Sequence, residues 1–112
     1  MTIHNADARW TPNDRTAELR SIAGLLRKDV LQMVHTAGSG HCGGCLSSAE
    51  IIAVLYFQVL RVDPGNPSWP DRERFIASKG HCATLLYAAL ARRGFFPPEE
   101  LQGLRSIGHF LQ

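Results

Sequence analysis

The 112-residue sequence has no run of basic residues, no long apolar run and no even set of cysteines. Each absence closes off a class of function. The twelve Lys and Arg residues are scattered, never more than two together, and the net charge is only +2. Neither nucleic acid nor an anionic membrane is therefore indicated as the main partner. No stretch approaches the ~20 apolar residues that cross a bilayer. Met1 to Asp14 is polar and mixed, without the charged and then apolar pattern of a signal peptide. Residues 1–10 read as a loose polar tail. Cys42, Cys45 and Cys82 are an odd set, which argues against a disulfide framework and for reduced thiols in the cytoplasm.

What remains, residues 11–112, has the size and composition of part of an ordinary globular domain. Thr11 as cap, Pro12 at the first helical position and Asp14 three residues after the cap predict a helix start. Leu19, Ile22, Ala23, Leu26, Val30, Met33, Val34 and Ala37 recur at gaps of three and four and fall on one helical face. Gly38 ends that helix. Residues 38–46 hold four glycines and predict a loop. Ser47-Ser48-Ala49-Glu50 has the form of a capping box, opening a helix to about Leu60 that is apolar nearly all round and needs cover on several sides.

Asp63 to Asp71 is turn-rich, and Arg74 to Ser78 reads as a short strand. Lys79-Gly80-His81 is a tight turn, Ala83 to Arg93 a helix stopped by Gly94, and Pro97 begins a last helix. One strand makes no sheet, and a buried helix needs neighbours. The pattern fits a fragment of a larger α/β layer structure.

Two Gly-His pairs, Gly40-His41 and Gly80-His81, each lie in a loop just ahead of a helix. Helix N-termini offer free N–H groups and partial positive charge, which suit a phosphate. A histidine there can add a hydrogen bond or move a proton near neutral pH. On spacing alone, each histidine could equally be structural, and the glycines could simply permit tight turns.

Ala37-Gly38-Ser39-Gly40-His41-x-Gly43-Gly44-x-Leu46-Ser47 resembles the signature of transketolases, especially those split into two half-length subunits. The likeness continues through Leu55-Tyr56-Phe57, Asp63-Pro64-x-Asn66-Pro67-x-Trp69, Asp71-Arg72-x-Arg74-Phe75, Ser78-Lys79-Gly80-His81-x-Ala83 and Leu86-Tyr87-x-x-Leu90. The resemblance implies the N-terminal portion of a thiamine diphosphate-binding three-layer α/β/α domain, with an incomplete parallel sheet. It implies that His41 lines the substrate channel against sugar hydroxyls. It further implies that His81, with Gly80, lies beside the cofactor diphosphate. The implied reaction transfers a two-carbon ketol unit between sugar phosphates. The implied partners are the remainder of the chain or a C-terminal transketolase subunit, in a dimeric assembly.

Two positions depart from that signature. Cys42 stands where the family has proline, and Cys45 where it has serine. The resulting Cys-x-x-Cys leaves open a small zinc- or partner-binding module; a thioredoxin-like motif is weaker, because a helix precedes it. The family holds Mg2+ through Gly-Asp-Gly and a downstream Asn, and neither is present in this sequence. The expectation is a chain that ends within its domain and is not an active transketolase alone.

Overall fold

The computed structural model describes residues 15–112. The expected cap at Thr11, with Pro12 and Asp14, and the polar tail lie outside the described residues. The first described helix, α1 (Thr16–Ala37), carries the apolar stripe inward: Ala23, Leu26, Val30 and Met33 are buried. It stops where expected. Gly38 takes φ 73°, and its N–H bonds back to the carbonyls of Val34 and His35, a left-handed closure that costs glycine little.

Helix α2 (Gly43–Val54) begins four residues before the expected capping box. Ser47 therefore sits inside the helix, with its hydroxyl donating to the Gly44 carbonyl at 3.0 Å. Glu50 turns outward to pair with Arg27 of α1. The box has the right residues, but the upstream glycines already allow helical backbone, so nothing forces the start to wait for Ser47. A π-turn over Leu55–Val59 ends the segment, closed by the Leu60 N–H on the Leu55 carbonyl at 2.7 Å. Two arginines take carbonyls left at this end: Arg15 bonds Phe57 O at 2.8 Å and Arg93 bonds Tyr56 O at 2.9 Å.

Helix α3 (Ala83–Arg93) matches its expected span, and Gly94 at φ 111° closes it. A 3-10 turn, Gly80–Cys82, leads into it. The last expected helix is a 3-10 segment, Pro98–Gly103. Residues 74–78 carry no regular secondary structure, and no strand occurs among the described residues. The expected parallel sheet is thus not seen: extended backbone becomes sheet only when a neighbour supplies ladder bonds.

Three helices share one core. Leu26, Val30 and Met33 of α1, Cys45 of α2 and Leu85 of α3 are its largest fully enclosed side chains, each worth about 1.5–3 kcal/mol of burial for the larger aliphatic ones. Leu101, Leu104 and Leu111 close it from the C-terminal segment. Helix α2 is covered on one side only, as Ile51 is 62% exposed and Val54 is also open. The all-round apolar pattern predicted fuller burial than these residues have. Among the described residues no helix is long and apolar enough to cross a membrane.

Candidate functional site

The two Gly-His pairs, far apart in sequence, meet in space. The His41 and His81 rings lie 4.6 Å apart between centroids, edge to face at 73°, and both residues are exposed. His41 sits just before α2, and His81 in the 3-10 turn before α3. The packing of the two helix starts brings the pair together. Cys45 helps to hold this arrangement, since its thiol donates to the His81 carbonyl across 3.5 Å.

Gly40 has φ 140°, and a Cβ there would lie 2.8 Å from Val34 Cγ2. The glycine lets the loop fold back against α1 and deliver His41 to its place. Gly44 has a different reason: a Cβ on it would stand 2.9 Å from Lys79 Nζ and 3.4 Å from Cys82 Sγ. The Lys79 ammonium therefore lies over the first turn of α2. Gly80, exposed, opens the 3-10 turn.

Neither α2 nor α3 has a side-chain cap or an acidic residue in its first turn. Two uncapped helix starts, a nearby ammonium and two imidazoles make a donor-rich, acid-free corner. This donor set fits a diphosphate, which needs N–H groups and positive charge. A divalent metal is another matter: among the described residues no three His, Cys, Asp or Glu groups are arranged to hold one. The zinc module suggested by Cys42 and Cys45 finds no ligand set there.

Two supports escaped the sequence reading. Arg105, at φ 60°, donates from Nη1 to Ser39 Oγ at 3.1 Å and so ties the C-terminal segment to the glycine loop. No local pattern announces a contact between residues so distant in sequence. Asp29 is the second: it is buried and held by Arg92. Its signal was present, because an acid three residues after Leu26 and four before Met33 falls on the apolar stripe.

Comparison with known proteins identifies the family. Residues 19–110 match the family described as transketolase, thiamine diphosphate binding domain. The 6-deoxy-6-sulfo-D-fructose transketolase subunit of Clostridium sp. (strain MSTE9) is 43% identical over 99 residues, 88% of this chain and 36% of its own length. A transketolase of Mus musculus is 46% identical over 89 residues, 80% of this chain and 14% of its own. An apulose-4-phosphate transketolase subunit of Phocaeicola vulgatus is 40% identical over 85 residues, 76% of this chain and 30% of its own. The chain thus spans little more than a third, at most, of the length of these relatives. It belongs to the transketolase thiamine diphosphate-binding domain family, of which it carries the N-terminal part.

Proposed function

We propose that this chain supplies one wall of a transketolase active site and acts only with the rest of the cofactor domain, as the remainder of a longer chain or as a C-terminal subunit, in a dimeric cytoplasmic assembly. The observation that carries the reading is the His41–His81 pair at two uncapped helix starts. The reaction is transfer of a two-carbon ketol unit between sugar phosphates. The relatives include transketolases and subunits named for sugar derivatives.

Thiamine diphosphate, when bound, supplies a nucleophilic carbon and an electron sink. The turn of Gly80 and His81 would hold the diphosphate, with Lys79 adding positive charge. His81 donates a hydrogen bond at the reacting end, and His41 orients sugar hydroxyls and holds or moves a proton. Mg2+ takes its ligands from the rest of the domain, since Gly-Asp-Gly is absent here. Segment 74–78 becomes one strand of the domain's parallel sheet when its neighbours are present. Support for this is Ile76, 85% exposed on that segment, and Ile51, 62% exposed on α2 nearby.

The test is to co-express the chain with the remainder of the domain and its partner subunit, and to assay ketol transfer with and without thiamine diphosphate. His81→Ala should lower kcat by about 10²-fold or more, the usual contribution of a positioned proton-transfer group. Cofactor-independent activity, or a His81→Ala enzyme at full rate, would overturn the assignment.

A further inference from the structure

The transketolase reading leaves the buried thiols unused, and they are grouped. Cys45 is fully enclosed on α2 and Cys82 is 9% exposed at the end of the 3-10 turn. The Cys45 thiol reaches the carbonyl of His81, the residue before Cys82, at 3.5 Å, and Cys82 Sγ lies against Gly44, the residue before Cys45. Cys82 also lines a groove of about 240 Å³ between α2 and segment 75–79, together with Ile52, Phe75 and Leu86. A small oxidant has a path to Cys82 along that groove, which Cys45 does not line. We propose that Cys45 and Cys82 form a dithiol modification site for hydroperoxides, closing to a disulfide that ties α2 to the turn carrying His81.

The chemistry balances with the hydroperoxide as the two-electron oxidant. The Cys82 sulfur attacks the terminal peroxide oxygen; an S–O bond forms, the O–O bond breaks, and the alcohol, or water from hydrogen peroxide, leaves with a proton. The Cys45 sulfur then attacks Cys82 Sγ. The S–S bond forms, the S–O bond breaks, and the departing hydroxide takes the Cys45 proton as water. Two thiols and one hydroperoxide become one disulfide, one alcohol and one water. Cys45, fully enclosed, does not line the groove and so meets the oxidised Cys82 rather than the oxidant itself.

The consequence reaches the histidine pair. In the reduced protein the Cys45 S–H donates to the His81 carbonyl. A disulfide has no S–H, so oxidation releases that carbonyl and draws Cys82, the neighbour of His81, toward α2. Cys42 is half-buried and does not line the groove that leads to Cys82.

Peptide mapping of the peroxide-treated chain decides the matter, because Cys42 and Cys45 share the tryptic peptide 29–61 while Cys82 lies in 80–92. The expected product is those two peptides linked, with two hydrogens lost. Cys42→Ser should keep the link. Cys45→Ser should stop the reaction at a Cys82 sulfenic acid that dimedone traps. In the oxidised chain the imidazole NMR resonances of His81 should shift, while those of His35, on the exposed side of α1, stay in place. Loss of two hydrogens within peptide 29–61 alone would mean a Cys42–Cys45 bridge and overturn the proposal. So would oxidation of separate thiols with no linked peptides.

Discussion

Arg92 grips Asp29 through two parallel hydrogen bonds, Nε to Oδ2 at 2.8 Å and Nη2 to Oδ1 at 2.9 Å. The pair fastens the middle of α1 to the last turn of α3. Asp29 is the more committed partner, its side chain 7% exposed against 33% for Arg92. The fork geometry suits guanidinium and carboxylate, and a point-charge ammonium cannot reproduce it.

Removing the arginine therefore strands an acid inside the protein. Arg92→Ala should cost about 3 kcal/mol, the low end of the range for breaking a buried pair, because Arg92 is partly solvated. Arg92→Lys should recover only part of this. Urea unfolding midpoints of the three proteins measure it. An Arg92→Ala protein within about 0.5 kcal/mol of the parent, an ordinary surface effect, would show that the pair contributes little.

The sequence disclosed the helices better than their surroundings, for identifiable reasons. The end of α1 at Gly38 and both ends of α3 are set by local chemistry: apolar spacing and a glycine able to take positive φ. The start of α2 was misplaced because Ser47 to Glu50 carries a capping pattern in a segment where Gly43 and Gly44 already admit helix. Arg74 to Ser78 has strand-like residues, yet strand formation is a property of two segments, and no second one is present among the described residues. For the candidate site, the Gly-His motifs pointed to His41, Gly80 and His81. Their meeting, and the positions of Lys79 and Arg105, depend on packing between distant segments, which spacing does not encode.

Gly40 and Gly43 flank His41 but should respond oppositely to alanine. At Gly40 the backbone stands at φ 140° and a Cβ would press on Val34 at 2.8 Å. Gly40→Ala should cost about 1–3 kcal/mol in backbone strain and displace His41. At Gly43, the first residue of α2, a Cβ meets nothing within 4 Å. Gly43→Ala should be neutral or stabilise by up to about 1 kcal/mol. Unfolding midpoints give the energies. The ring-current shift between His41 and His81 should disappear in the first variant and persist in the second. Equal behaviour of the two would contradict the loop geometry.

The C-terminal clasp rests on Gly103. A Cβ there would overlap the His109 ring, 2.3 Å from its Cδ2. His109 bonds Glu100 at 3.0 Å and accepts the Leu111 N–H at Nδ1 at 3.1 Å. Gly103→Ala should push the ring out and break both bonds, at roughly 1–3 kcal/mol. Hydrogen exchange at the Leu111 amide should quicken. Unchanged protection would mean that His109 does not hold this segment.

Alkaline pH should expose the energetic role of Cys45. Its folded pKa is raised, chiefly by burial, with nearby Cys82 and Cys42 adding to the effect. A raised acid holds its proton in the folded state after the unfolded chain has released it. Its contribution to stability is therefore full below the ordinary cysteine value of about 8.5 and is lost as pH climbs toward the raised one. Tyr56, also raised by burial, adds a second loss that starts near its ordinary value of about 10. Cys45→Ala, kept with reductant so that no disulfide forms, should be the less stable protein at pH 7 through its lost packing. Its stability should fall less steeply than the parent's above about pH 8, because the thiol whose proton burial holds in the folded chain is gone. Unfolding free energies of both proteins above that pH give the two slopes. Parallel slopes would mean that the Cys45 thiol ionises alike in the folded and unfolded chains, and that burial at the core of α2 does not hold its proton.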